Sequence, residues 1–435
     1  MALFFGFGDM ESLAQPGEAG RPVSEFSSEV AVAWFELQLK LAKETPGFSP
    51  PVVSRALGYS GVTLYEAVVA GIPTHQSLAG QLNGLATLPQ PAFEEEYHWP
   101  TVANSALASI CKRLFANTTP SNWAAIYLLE ARYNKQFQGS LRLDVFYRSV
   151  LQGKSAAETI YNWSLTDGGH ESYWKNFPDS YSPPAGPSFW LPTPQKFLRA
   201  LQPYWGNNRP FVLRSGSDCA PPPHPAYSEQ AGSAFYAEAM EIYDTGKNLT
   251  REQRVIAEFW ADNPGQTSTP PGHCISILTQ ILQQRNTTLD VAAETYAKVG
   301  LAVADAFIVC WYTKYEYNLI RPVTYINRVI DRAWKPFVLT PPFPEYPSGH
   351  SVQSAAVAQV LTDLFGTVAF VDHTHDSRGL APRSFNSFFD AANEAAISRL
   401  YGGIHFRAAI EHGLRQGKCI GQKVSALQFK KSSTY

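Results

Sequence analysis

The chain has 435 residues, of which 45% are hydrophobic, 13% aromatic and 17% charged, enough apolar material for a large buried core and too much for a disordered chain. Its 35 Lys and Arg nearly balance 37 Asp and Glu, giving a formal charge of -2, so no global basic field draws in nucleic acid or anionic lipid. Apolar runs fall short of the roughly 18 residues a membrane helix needs, and five scattered cysteines with no CxxC pair exclude a disulfide scaffold and a structural zinc site.

The opening residues MALFFGFGDMESLAQPGEAG carry no positive n-region and only a seven-residue apolar patch, so they do not make a signal peptide. Residues 1–23 are predicted to be a flexible N-terminus. Residues 24–165 form an N-terminal helical half. Ser27 or Ser28 caps its first helix, with Glu29 in the first turn, and further helices are predicted to start near Pro51, Thr101, Ser121 and Ser155. Residues 166–225 break the pattern. Twelve prolines fall between Pro178 and Pro225, too dense for helix interiors, while Trp174, Phe177, Trp190 and Trp205 argue against a polar linker. This segment is predicted to be an ordered excursion packed on the surface. Residues 226–435 return to helices starting near Ser228, Thr250, Pro271, Thr288, Ser348, Asn386 and His405, the last reading on to Leu427. No stretch alternates with a period of two between hairpin turns, so the fold class is all-α with long Pro-rich ordered loops.

Three segments of the C-terminal part concentrate unusual chemistry. In Lys314-Tyr-Glu-Tyr-Asn-Leu-Ile-Arg321-Pro322 the cations are seven apart, which on one helix puts them on one face, with Pro322 stopping the helix. Alone, this spacing is also what a solvated face with Glu316 as partner would give. In Tyr346-Pro-Ser348-Gly349-His350, Ser348 is an N-cap, and Gly349 lets a ligand approach the backbone at a helix N-terminus, a ready anion site. His350, in the first turn, can exchange protons with whatever binds there. In Ser398-Arg399-Leu-Tyr-Gly402-Gly403-Ile404-His405 the glycines break one helix and His405 opens the next. Together Lys314, Arg321 and Arg399 supply three positive charges, Ser348 and Gly349 neutral donors, and His350 and His405 two imidazoles. That set suits a tetrahedral or trigonal-bipyramidal oxyanion, with one histidine as ligand or nucleophile and one as acid–base.

These segments follow K-x6-RP, PSGH and SR-x5-H in order and spacing. On them the sequence resembles the vanadium-dependent haloperoxidases and their relatives in the type 2 phosphatidic acid phosphatase superfamily. The match spans residues 311–412, and Phe259–Gln266 (FWADNPGQ) and Thr269–His273 (TPPGH) also look like bacterial haloperoxidase sequence. The resemblance implies two four-helix bundles with vanadate at the end of the C-terminal one. It implies His405 as the vanadium ligand, with Lys314, Arg321, Arg399, Ser348 and the Gly349 amide around the oxygens and His350 taking a proton from hydrogen peroxide. Vanadate then acts as a Lewis acid, halide becomes hypohalous acid, and organic acceptors take the halogen. Trp311, one turn before Lys314, and Phe343 in PPFPEYP resemble the lining of the halide pocket. An aromatic pair makes a dry site for a large, polarizable halide, and the bacterial look of SRLYGGIHFR points to iodide first and bromide second.

One departure is Ala409, where the family pattern has an Asp that orients the preceding histidine; Glu411, His412 or a backbone carbonyl are the candidates to replace it. The alternative within the superfamily is a soluble acid phosphatase with His405 as nucleophile, which Ala409 and the chain length disfavour. A protein that only sequesters phosphate or vanadate would leave both histidines unexplained. Monomer and homo-oligomer are both open, and a damaging product implies export, periplasmic or secreted, with no leader in this chain. Elsewhere Glu94-Glu95-Glu96 reads as a solvated charge run and Asp167–His170 as a turn. His373 and His375 in VDHTHD read as a polar surface loop rather than a metal clip, and Cys219 with Cys274 is the disulfide considered.

Overall fold

The computed structural model describes residues 20–432 apart from Phe93 and Gln195. Most of the expected flexible N-terminus thus lies outside the described residues, while Val23 is already buried in a single 3-10 turn. Among the described residues the N-terminal part forms α1 (Glu29–Glu44), α2 (Pro50–Val68), α3 (Trp99–Leu114), α4 (Pro120–Gln138) and α5 (Leu143–Ser164). After the Pro-rich segment come α6 (Ala234–Lys247), α7 (Arg251–Phe259), α8 (Thr269–Gln284), α9 (Leu289–Tyr317) and α10 (Pro322–Val329). The C-terminal part adds α11 (Gly349–Phe365), β1 (Phe370–Asp372), β2 (Arg383–Phe385), α12 (Phe388–Tyr401) and α13 (Arg407–Ser425). The fold is all-α, as expected. Local chemistry sets most boundaries: prolines occupy the first turns of α2, α3, α4, α8 and α10, where the missing N–H costs nothing. Thr250 and Gln253 form a capping box at α7. Ser155, expected to start a helix, lies inside α5, whose apolar face begins earlier with Val145 and Phe146.

The helices that matter for the site pack through glycine. α2 runs against α9, and α11 against α13. A Cβ on Gly61 of α2 would lie 2.4 Å from the Tyr296 carbonyl of α9, and one on Gly417 of α13 only 2.1 Å from the Val352 carbonyl of α11. Both pairs therefore touch backbone to backbone. One large apolar core joins α1–α3 to α8, α9 and α11, and a smaller one with Phe235, Tyr325, Tyr346 and Phe406 lies beside the PSGH loop.

The structure adds one small element and corrects two expectations. β1 and β2 form a short antiparallel pair, and strands of three residues are too short for alternation to register in the sequence. The disulfide joins Cys219 to Cys419, 200 residues apart, while Cys274 is a buried free thiol, as are Cys111 and Cys310. Cys274 sits inside the α8 contact, and only the folding of the Pro-rich segment onto α13 brings Cys219 to a partner. That segment also penetrates further than a surface excursion would. Trp190, Trp205, Phe211 and Leu213 are buried, and the backbone N–H groups of Phe211, Val212 and Leu213 all donate to buried Asp305 of α9. Trp174 remains outside, 70% exposed. Glu94, Glu95 and Glu96 are exposed, whereas the Asp167 turn is buried and paired to Arg55.

Candidate active site

Lys314 and Arg321 do not share a helix. α9 ends at Tyr317, with Asn318 left-handed at φ 47°, and Arg321 is the N-cap residue of α10. Their side chains nevertheless reach one loop, residues 341–348. Lys314 Nζ donates to the carbonyls of Pro344, Glu345 and Pro347. Arg321 donates from Nε to Phe343 O at 2.9 Å and from Nη1 to Ile404 O at 2.8 Å. The two cations thus tie the PPFPEYP loop to the turn before His405.

α11 begins at Gly349, with Ser348 as N-cap accepting from Ser351 N at 3.4 Å, and the Ser348 N–H donates to Ala409 O. The first-turn N–H groups have no intrahelical acceptor and carry the positive end of the helix dipole. His350 donates from Nε2 to Trp260 O at 2.9 Å, which leaves Nδ1 as an acceptor. Burial and then the Arg399 charge hold His350 down to about 3, so the ring is neutral at ordinary pH. Arg399, in the last turn of α12, donates to Ser398 Oγ and Ala257 O. His405 does not open α13, which starts at Arg407; Gly403, at φ 77°, turns the chain, and His405 sits in the connection.

The electrostatics are lopsided. Lys314, Arg321 and Arg399 are all buried. Burial, helped by the Arg321 charge, pushes Lys314 down to about 7, and burial brings Arg321 and Arg399 each to about 10. Burial and the surrounding cations, Arg321 first, hold His405 well below the usual imidazole range. The buried Arg321 Nη2 has no partner among the described residues. A buried donor of this kind is costly unless something accepts from it, and the local excess of positive charge calls for an anion.

A cavity of about 620 Å³ opens onto these groups. Gly349, His350, Arg399 and His405 line its inner end, and Trp311 and Phe343 line the adjoining wall with ring centroids 4.8 Å apart. Trp311 is fixed by an Nε1–H bond to Leu201 O. Lys314, Arg321 and Ser348 do not line the cavity; they lie behind its inner end, bonded to the loop and the α11 cap.

A second polar cluster lies behind His350. His273 donates from Nδ1 to Asp262 and from Nε2 to Asp372, at 2.8 and 2.7 Å, with all three side chains buried. Burial alone would lower His273, but the two carboxylates outweigh it and raise it to about 10. His375 is buried too, 3.4 Å from Asp262, so the expected surface loop holds only for His373. The loop turns inward because Asp372 and His375 must reach His273 and Asp262. Asp262, His273 and His375 have donor atoms within 4.8 Å of one another. An imidazolium with both nitrogens on carboxylates is already satisfied, however, and has no lone pair for a metal.

Comparison with known proteins agrees with this geometry. The family model described as the VCPO second helical-bundle domain matches residues 294–333 and 327–432. The vanadium chloroperoxidase of Curvularia inaequalis is 22% identical over 488 residues, covering 88% of this chain and 79% of that protein. The crystal structure of a bacterial vanadium-dependent iodoperoxidase is 39% identical, covers 92% of this chain and 96% of its own, and superposes with a TM-score of 0.83. The chain belongs to the vanadium-dependent haloperoxidases. A bacterial vanadium-dependent chloroperoxidase in its holo form shares the fold, with a TM-score of 0.67 at 17% identity.

The buried residues fit the vanadate that gives the haloperoxidases their name. Three cations with too little counter-charge, an orphaned Arg321 donor, a helix N-terminus and an acceptor nitrogen on each histidine together suit a highly charged oxyanion. One haloperoxidase residue went unforeseen. Glu345 Oε1 accepts from His405 Nδ1 at 2.9 Å and from Phe406 N at 2.8 Å. None of the three candidates for the missing Asp takes that place: His412 Nδ1 pairs with Tyr346 Oη at 2.8 Å, Glu411 is exposed, and His405 Nδ1 meets a side chain rather than a backbone carbonyl. The signal was an acid inside an otherwise apolar proline loop, PPFPEYP, where a carboxylate has no reason to be without a partner.

Proposed function

We propose that this haloperoxidase uses vanadate to oxidise halide with hydrogen peroxide to hypohalous acid, iodide in preference to bromide. The observation that carries the proposal is the excess of buried positive charge on Lys314, Arg321 and Arg399 around two neutral histidines. Bound vanadate supplies Lewis acidity toward peroxide. His405 contributes its Nε2 lone pair as the ligand. Arg321, Arg399, Lys314, Ser348 and the Gly349 N–H balance the oxyanion charge, and His350 Nδ1 accepts the proton from incoming peroxide. The Trp311–Phe343 pair supplies a dry, polarizable wall for halide, and the kinship with an iodoperoxidase at 39% identity favours iodide. The cavity far exceeds the volume of a halide and runs out to exposed Phe197, Leu198 and Leu339, which suits an apolar organic acceptor. Export to an oxidising compartment is supported by the Cys219–Cys419 disulfide.

Glu345 favours a second reading. A phosphatase of the superfamily needs a carboxylate to orient its nucleophilic histidine, and Ala409 no longer argues against one when Glu345 holds His405. The experiment is a paired assay on chelator-stripped protein, following iodide oxidation and p-nitrophenyl phosphate hydrolysis before and after adding orthovanadate. Iodide oxidation that appears only with vanadate and is lost in His405→Ala supports the peroxidase. Hydrolysis that needs no vanadate and is inhibited by it supports the phosphatase.

A further inference from the structure

We infer that Glu345 is the positioning residue of this site: it holds His405 in the tautomer that presents Nε2 to the oxyanion, the part that the usual pattern gives to an Asp at the position of Ala409. The inference rests on the reading of His405 as the anion's ligand, and it deepens that reading.

The tautomer is fixed from both ends of the ring. At Nδ1, Glu345 Oε1 lies 2.9 Å away and also accepts the Phe406 N–H at 2.8 Å, so this oxygen is an acceptor and Nδ1 carries the hydrogen. At Nε2, Arg321 Nη1 lies 3.3 Å away, and a guanidinium can only donate. Nε2 therefore keeps its lone pair. The main chain that carries this carboxyl group is anchored, although its second oxygen, Oε2, is buried without a partner among the described residues. Glu345 is fully buried, its N–H donates to Leu319 O, and its own carbonyl accepts from Lys314 Nζ at 3.0 Å. The lysine of the cage thus anchors the residue that orients the histidine of the cage.

The Asp in the usual pattern would approach from α13, four residues past the histidine. Here α13 carries Ala409 at that point, and the Ala409 carbonyl is used instead to receive the Ser348 N–H. The carboxylate comes from the loop that leads into α11. Orientation of a ligating histidine by an outer carboxylate is worth ~10–100-fold in metal affinity.

The test combines vanadate titration calorimetry with ring 15N NMR of His405, assigned by comparison with His405→Asn. Wild type should show a protonated Nδ1 in the vanadate-free protein. Glu345→Ala should bind vanadate ~10–100-fold more weakly and show a mixed tautomer, whereas Glu345→Gln, whose amide oxygen can still accept both hydrogen bonds, should stay within a few-fold of wild type. Introducing Ala409→Asp into the Glu345→Ala protein should recover part of the lost affinity. A carboxylate that merely packs would change the melting temperature but not the tautomer. If Glu345→Ala keeps wild-type affinity and tautomer, the inference is overturned, as it is if wild type carries the hydrogen on Nε2. The second measurement decides the matter even if Glu345→Ala fails to fold. Neither readout involves halide oxidation, so protein that binds vanadate but oxidises no halide would sink the peroxidase reading and leave this one standing.

Discussion

His350 and Trp260 are joined by a hydrogen bond from the ring Nε2–H to the main-chain carbonyl at 2.9 Å. That bond spends one ring nitrogen on the protein and turns the other toward the cavity. Because burial and Arg399 hold the ring down to about 3, it is a neutral acceptor across the whole working range. His350→Ala is expected to lower halide turnover by ~10²–10⁴ with a smaller effect on vanadate affinity. Equal losses in both quantities would assign His350 to anion binding instead.

Lys314 predicts a pH dependence of binding. With its pKa brought down to about 7 by burial, the ammonium is present below that pH and lost above it. Affinity for an oxyanion whose own charge is constant over the range, such as tungstate, is therefore expected to fall as pH rises through 7. Lys314→Met should weaken binding at pH 6 much more than at pH 9, and calorimetry at the two values checks it.

The Asp262–His273–Asp372 cluster predicts a stability profile. His273 is raised from its ordinary value to about 10. Its contribution is fully present below the unfolded histidine pKa of about 6.5 and is lost as pH rises through 10. His273→Leu strands two buried carboxylates and is expected to cost about 3–5 kcal/mol. Urea unfolding at pH 7 and 10 should show a smaller penalty at the higher pH.

At the α11–α13 contact, Gly417→Ala would drive a methyl to within 2.1 Å of the Val352 carbonyl. The helices must then part, at a cost of about 1–3 kcal/mol or more. Since α11 carries Ser348 to His350 at its start and His405 directly precedes α13, vanadate affinity should drop along with the melting temperature. A stable protein with unchanged affinity would show that the contact does not set the site.

The disulfide is checked by peptide mapping of unreduced protein. The expected result links the Cys219 and Cys419 peptides and finds Cys111, Cys274 and Cys310 as thiols. Cys419→Ser is expected to cost about 2–5 kcal/mol.

Much of this was legible in the sequence because it rests on local signals. Caps, prolines and apolar periodicity placed most helices, and motif spacing brought Lys314, Arg321, His350, Arg399 and His405 together. Contacts without a sequence period were not legible. Glu345 meets His405 across 60 residues and Cys219 meets Cys419 across 200, and nothing local encodes such pairings. The one-face reading of Lys314 and Arg321 failed at Asn318, whose left-handed backbone ends α9 three residues before the arginine. The burial of His375, expected on a surface loop, was not legible because a short polar run looks the same whether its side chains point to water or to buried carboxylates.

If the enzyme releases hypohalous acid as proposed, it is the first molecule its product would meet, and sulfur is the side-chain atom such an oxidant attacks fastest. This chain has only three methionines among 435 residues, and its three free thiols are all buried. Burial also raises Cys310, beneath the site, to about 11, which keeps it in the less reactive thiol form. The remaining two cysteines are already oxidised to each other. On that activity the packing that builds the core would also work as armour, leaving the oxidant little to consume on its way out.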